Sequence, residues 1–168
     1  MRAPVGSSFP LDFSSISFLI IDDQPFTRRL VRSILLGFGS REVYESANGV
    51  EAFELVRTVM PSNIITDLIM PTFNGLRFIK MMREPQSPAA AIPITVLSGY
   101  LTKAAALLVK ESGADELLVK PVSPKALYEH ISRIVLRNDK TRQTVAFSQN
   151  QKRLAEQQRK KCGELAYV

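Results

Sequence analysis

Cysteine and histidine are nearly absent from this chain: its 168 residues include one of each, Cys162 and His130. A lone thiol excludes an internal disulfide framework and a zinc site built from cysteines, and it suits a reducing cytosol. A single imidazole excludes a His-rich metal site and any mechanism that needs two. His130 falls in "SPKALYEHISRIVLR", a helix-spaced stretch in which a solvated or packed side chain is the simplest reading. No apolar run approaches the ~20 residues needed to cross a bilayer, so no membrane contact is expected. The opening "MRAPVGSSFPLDFSS" has no continuous apolar core of the kind a secretory signal carries, and residues 1–15 read as a flexible leader.

What is present describes a folded protein with a basic end. A hydrophobic fraction of 45% and a charged fraction of 23% argue against both a disordered chain and a membrane protein. The length fits one ordinary domain and an extension. The net charge of +6 raises the question of nucleic acid, but residues 139–168 hold seven Lys or Arg against three Asp or Glu, so most of the excess lies there. That tail is too short for a helix-turn-helix output domain with its own core. It has helix formers and few apolar residues, so residues 138–168 are expected to be a basic polar tail, helical or disordered. A docking element is the next reading and a nucleic-acid arm the one after.

Between these ends the pattern alternates. "SFLIID" has the apolar continuity of a strand buried on both faces. "PFTRRLVRSILLGFG" follows with helical spacing at Phe26, Leu30, Ile34 and Leu35, and Gly37 and Gly39 offer stops. "EVYESA" is a half-polar strand, "GVEAFELVRTVM" a helix, "NIITDLIMP" a strand ending at Asp67, and "GLRFIKMMRE" a helix. "PQSPAAA" is a loop. "IPITVLSG" is a strand ending near Ser98, "TKAAALLVKESG" a helix, "DELLVKP" a strand ending at Lys120, and "SPKALYEHISRIVLR" a fifth helix. Parallel strands need crossovers of this length, so the expected fold is a doubly wound α/β domain over residues 16–137. The first, third, fourth and fifth strands are apolar enough to be central, whereas the second, with Glu42 and Glu45, looks like an edge. The expected order is 2-1-3-4-5.

Asp22 and Asp23, Asp67, Ser98 and Lys120 all fall at the carboxyl ends of these strands, where open parallel sheets bind ligands. Singly, each has an ordinary reading: paired acids before Pro25 suit a helix start, Ser-Gly a turn, Lys-Pro a loop. Jointly they make a site. Three carboxylates on adjoining strand ends cannot all stay charged without a cation, and oxygen donors alone suit Mg²⁺. With an ammonium and a hydroxyl added, the set suits transfer of an oxyanion to a carboxylate nucleophile.

The segments "FLIIDDQP", "DLIMPTFNG", "VLSGY" and "LLVKPV" resemble the receiver domain of two-component response regulators, with the likeness running from about Ser17 to Arg137. The resemblance implies the flavodoxin-like receiver fold. It also implies that Asp67 accepts phosphate from a histidine kinase or a histidine phosphotransfer protein. Asp22, Asp23 and Asp67, with the backbone carbonyl of Ile69, would hold Mg²⁺, Ser98 would sense the phosphoryl group and Lys120 would pair with it. Met70, Pro71 and Gly75 match the loop after the phosphoacceptor, and Pro121 matches a proline usually preceded by a cis bond. One position departs from the pattern: three residues before the lysine, where receivers commonly carry Tyr or Phe, this chain has Leu117. Leucine has no ring or hydroxyl to swing inward. Tyr100 could supply an aromatic group, though surface packing is its simpler role.

The expectation is thus a stand-alone receiver in the bacterial cytoplasm, a phosphorylation-dependent switch that acts on an unidentified downstream protein and is not a turnover enzyme. Two readings stand beside it: an intermediate phosphate shuttle in a multi-step relay, and a small Mg²⁺-dependent phosphohydrolase.

Overall fold

A computed structural model describes residues 11–71, 73–100 and 102–138. The chain divides into two compact units, Met1–Ser132 and Arg133–Val168, and the described part of the second is the end of one helix, 133–138. The expected basic tail otherwise lies outside the described residues.

Five parallel strands alternate with five helices among the described residues: β1 (Phe18–Ile21), α1 (Pro25–Gly37), β2 (Val43–Ser46), α2 (Gly49–Val59), β3 (Asn63–Asp67), α3 (Gly75–Met82), β4 (Ile94–Ser98), α4 (Lys103–Glu111), β5 (Glu116–Val119) and α5 (124–138). The sheet order is β2-β1-β3-β4-β5, as expected. This is the flavodoxin-like doubly wound arrangement that the resemblance implied. β1, β3 and β4 are buried throughout, because a strand flanked on both edges and covered by helices on both faces has no solvent side. β5 closes the edge opposite β2, where the expected order puts it, and is only partly buried although its sequence is apolar enough for a central strand; helix cover accounts for that apolarity.

Helix starts follow local chemistry. Pro25 opens α1, where its missing N–H costs nothing. Asn48 caps α2 by accepting from the Glu51 N–H at 2.9 Å, while the Glu51 carboxylate reaches back to Ser46 Oγ at 2.9 Å and the Ala47 N–H at 3.3 Å. Asn74 and Thr102 cap α3 and α4 in the same way, accepting from the N–H groups of Arg77 and Ala105. Each such cap typically contributes about 1 kcal/mol.

The expected leader is shorter than residues 1–15. Phe13 is fully buried and meets the rings of Phe18, Phe38 and Tyr128 at 5.5–6.4 Å, and the Leu11 N–H donates to the Tyr128 hydroxyl at 2.9 Å. The packed chain has therefore begun by residue 11, because one large aromatic ring outweighs the polar residues around it. Residues 1–10 lie outside the described residues.

At the amino-terminal edge of the sheet, Arg83 joins four segments. Its guanidinium donates to the carbonyls of Gly113 at 2.8 Å and of Ala90 and Ile92 at 2.9 Å, and to Asp115 Oδ2 at 2.9 Å. The same Asp115 oxygen accepts from the Ile94 N–H at the start of β4. Gly113 lies at φ +91°, and a Cβ there would sit 2.9 Å from the Arg83 stem, so both backbone and space call for glycine. This cross-link fixes the starts of β4 and β5. Their far ends carry Ser98 and lead into Lys120.

Candidate functional site

β1 and β3 run side by side with Ile21 opposite Thr66, so Asp22 and Asp67 emerge together as each strand ends. β4 and β5 pair Ser98 with Val119, where β5 ends one residue before the expected Lys120, and the Lys120 N–H bonds the Ser98 carbonyl at 2.8 Å. The sheet register thus sets Asp22, Asp67, Ser98 and Lys120 along one edge. The Lys120–Pro121 bond is cis.

Lys120 is the hub. Its Nζ lies 2.8 Å from Asp22 Oδ2 and 3.0 Å from Asp67 Oδ2. Asp22 is fully buried and its other oxygen accepts from the Gln24 N–H at 2.8 Å, so both carboxylate oxygens are engaged. Asp67 is 7% exposed. Burial pushes its carboxyl above the usual aspartate value and the neighbouring Asp22 adds to this, while Lys120 and the Ile69 N–H pull the other way. For Lys120, burial alone favours the neutral amine, but hydrogen bonds to the two aspartates carry its value above that of an ordinary lysine. Lys120 and Asp67 both line the cavity, so this ion pair sits where a ligand could reach it.

Asp23 is half-buried and completes the acidic group: one carboxylate oxygen from each of Asp22, Asp23 and Asp67 lies within 4.8 Å of the others. The donors are all carboxylate oxygens, and two of the three residues, Asp23 and Asp67, line a cavity of about 600 Å³ together with Gln24, Ile69, Pro71 and Lys120. These residues fit a small hard divalent cation that keeps part of its water shell, since an open cavity leaves room for waters beside the carboxylates.

The loop after β3 is shaped by close approach. A Cβ on Gly75 would lie 2.2 Å from the Asp67 carbonyl oxygen, and the Gly75 N–H bonds the Leu68 carbonyl at 3.1 Å. Only glycine lets α3 begin this close to the end of β3. Met70 is buried beneath the loop, whereas the Ile69 side chain is 65% exposed beside the cavity.

Ser98 reaches the right edge but is turned to its own loop. Its hydroxyl donates to the Tyr100 carbonyl at 2.8 Å and accepts from the Tyr100 N–H at 3.2 Å. The Tyr100 ring is 74% exposed, so its side chain does not pack as expected; its backbone holds Ser98 instead. Leu117, opposite Val96 in the sheet, packs half-buried against the core, as a core leucine would. His130 Nδ1 lies 3.0 Å from Glu116 Oε2, away from the carboxylates.

The sequence reading missed Arg28. Its Nη1 donates to the Asp22 carbonyl oxygen at 2.7 Å and its Nε lies 3.5 Å from Glu45 Oε2. Spacing carried a signal, since residues 24 and 28 share one face of a helix that opens directly after the aspartates.

Comparison with known proteins bears on the family and the fold. Residues 18–132 match the response regulator receiver domain family. The chain is similar to the chemotaxis protein CheY1 of Helicobacter pylori, 31% identical over 125 residues, covering 74% of this chain and all of that protein. It is also similar to a chemotaxis protein CheY homolog of Campylobacter jejuni, 29% identical over 71% of this chain and 92% of the relative. Among solved structures, the chemotaxis protein CheY4 of Vibrio cholerae superposes with a TM-score of 0.66 at 31% identity, over 70% of this chain and 97% of that one. A putative response regulator of Chloroflexus aurantiacus gives 0.63 at 29%, over 71% and 93%.

Proposed function

The chain belongs to the response regulator receiver domain family, and from that premise we propose that it is a signalling switch set by phosphorylation of Asp67. The observation that carries this reading is the meeting of the Asp67 carboxylate with the Lys120 ammonium and two further aspartates at the mouth of an open cavity. A carboxylate oxygen of Asp67 attacks phosphorus as the phosphorus–nitrogen bond of a donor phosphohistidine breaks; the donor ring, already protonated at its other nitrogen, takes the bonding electron pair and leaves as neutral imidazole, with an acyl phosphate on Asp67. Asp22, Asp23, Asp67 and the Ile69 carbonyl would hold Mg²⁺. When bound, the ion supplies charge neutralisation for the phosphoryl oxygens.

The chain's own groups do the rest. Lys120 neutralises Asp22 and Asp67 before transfer and pairs with a phosphoryl oxygen afterwards. Ser98 exchanges its bond to the Tyr100 carbonyl for one to the phosphoryl group, so the loop that carries Tyr100 changes with phosphorylation. Leu117 has no hydroxyl or ring to follow, so the loop backbone at Ser98 and Tyr100 conveys the change. The chain is a phosphoacceptor rather than a turnover catalyst. The donor is a histidine kinase or a histidine phosphotransfer protein, and the output is a contact with a downstream protein in the bacterial cytoplasm. Relatives matched over 92–100% of their own length are chemotaxis proteins, which favours a chemotaxis-type pathway.

The test is intact mass after incubation with a small acyl phosphate and Mg²⁺. The wild-type protein is expected to gain one phosphoryl group and Asp67→Asn none; equal gain by both would overturn the reading.

A further inference from the structure

Asp22 follows the last residue of β1 and is held by its backbone as well as its side chain. Its N–H donates to the Ser46 carbonyl at 3.2 Å, the continuation of the β1–β2 ladder. Its carbonyl has left the ladder and accepts instead from Arg28 Nη1 at 2.7 Å. Arg28 comes from the second turn of α1, and its side chain is 18% exposed. Glu45 of β2 fixes the guanidinium from the far side, 3.5 Å from Arg28 Nε, and its other oxygen lies 3.5 Å from Arg32 Nη1. Arg32 in turn donates to the Val43 carbonyl on the outer edge of β2. Two arginines one helical turn apart thus bind α1 to the edge strand through one carboxylate.

The carbonyl of Asp22 and the amide nitrogen of Asp23 lie in one rigid peptide plane. Holding that oxygen sets ψ of Asp22 and φ of Asp23 together, and with them the direction of the Asp23 Cα–Cβ bond. The other two carboxylates have separate restraints: Asp22 is gripped by Gln24 and Lys120, and Asp67 by Lys120 within β3. Asp23 stands one residue past the ladder, half-buried beside the cavity, so its aim depends on the plane before it.

We propose that Arg28, braced by Glu45, is a positioning residue for the cation site: by holding the Asp22 carbonyl it fixes the Asp22–Asp23 peptide plane and so aims the Asp23 carboxylate. This rests on the reading of Asp22, Asp23 and Asp67 as a Mg²⁺ site. Charge and positioning oppose each other here. A guanidinium near the carboxylates repels a cation, so a purely electrostatic role predicts that neutralising Arg28 tightens Mg²⁺ binding. Positioning predicts the reverse, because groups that orient metal ligands commonly carry tenfold or more in affinity.

The test is Mg²⁺ titration of the full chain, followed by calorimetry and by the amide resonances of residues 22 and 23, below the unfolding transition of every variant. Arg28→Gln is expected to bind Mg²⁺ roughly tenfold more weakly and to shift the Asp23 amide already in the metal-free protein. Arg28→Lys, which keeps one donor and the charge, is expected to recover part of the affinity. Glu45→Gln, which leaves Arg28 in place but unbraced, is expected to weaken binding less than Arg28→Gln, and it decides the matter should Arg28→Gln not fold. Asp23→Asn separates the two levels of the argument. If it weakens Mg²⁺ binding while Arg28→Gln and Glu45→Gln leave affinity unchanged or tighter, the positioning role is overturned and the cation site stands. If Asp23→Asn has no effect on Mg²⁺ affinity, the cation site itself is wrong and the role of Arg28 falls with it.

Discussion

Replacing Lys120 by methionine keeps most of the side-chain stem and removes the charge. In the metal-free protein this strands two buried carboxylates, Asp22 at 0% and Asp67 at 7% exposure, each of which had an ammonium within 3.0 Å. At an effective dielectric near 20, a single such pair has a gross Coulomb attraction of about 6 kcal/mol. Water entry and proton uptake recover much of it, and breaking a buried pair typically costs ~3–5 kcal/mol. Lys120 is itself 23% exposed, so the lower end applies, about 3 kcal/mol. For a domain of this size that is a fall in melting temperature on the order of 10 °C. The assay is urea denaturation at pH 7 in chelator, read by far-ultraviolet circular dichroism. Two conditions should close the gap to wild type. Acid should do so because Asp67, whose value burial already raises, takes up a proton, and millimolar Mg²⁺ because a cation replaces the ammonium. In the wild type, the Lys120 value is raised above 10.5, so its stabilisation is complete below that pH and is lost as pH rises through the folded value. Lys120→Met should lack this alkaline loss. A deficit under about 1 kcal/mol, or one indifferent to both pH and Mg²⁺, would refute the reasoning.

Three further outcomes are expected. Asp67→Asn should raise the denaturation midpoint of the metal-free protein at pH 7: burial raises the Asp67 value above 3.8, so the stability it contributes is present below that pH and lost as pH rises through the folded value. A lower midpoint for the variant would contradict this. Gly75→Ala should cost about 1–3 kcal/mol and slow phosphoryl uptake, since its methyl must displace the Asp67 carbonyl from 2.2 Å; unchanged uptake would mean the loop gives way freely. Arg83→Met should cost about 3 kcal/mol through four lost hydrogen bonds, yet leave Mg²⁺ affinity close to wild type because the cross-link lies at the opposite edge of the sheet; urea midpoints and Mg²⁺ titration check both halves.

The edge that carries the site was legible because acids interrupt apolar runs abruptly: "FLIIDD" and "NIITD" are each a buried strand followed by a charge, and such a boundary survives any error in helix limits. The order of strands was legible from Glu42 and Glu45, which mark β2 as partly solvated. β5 took its place from that order and not from its own composition, since helix cover makes an edge strand as apolar as a central one. Arg83 left no signal, and Arg28 only its spacing after the aspartates, for a common reason. An arginine on a helix reads as a solvated charge, and only the fold reveals that its hydrogen-bond partners are backbone carbonyls, which leave no trace in composition. The direction of the Ser98 hydroxyl was equally hidden, because its partner is again a carbonyl, that of Tyr100.

The sheet order also sets a sequence of events. β1 pairs with β2 and β3, so a chain extended to Asp67 already holds every carboxylate of the acidic group, whereas Lys120 follows 53 residues later. Partial structures made of β1–β3 must gather Asp22, Asp23 and Asp67 without that ammonium, and like charges brought together oppose the pairing that brings them. The early half of the fold is therefore biased against closing its own edge until β5 docks or a cation from solution takes the place of Lys120. Refolding should accelerate with Mg²⁺ in the wild type and lose that dependence in Asp23→Asn, a kinetic trace of chemistry that the finished protein performs only later. Refolding rates indifferent to Mg²⁺ would show that the edge closes last, with Lys120 already in place.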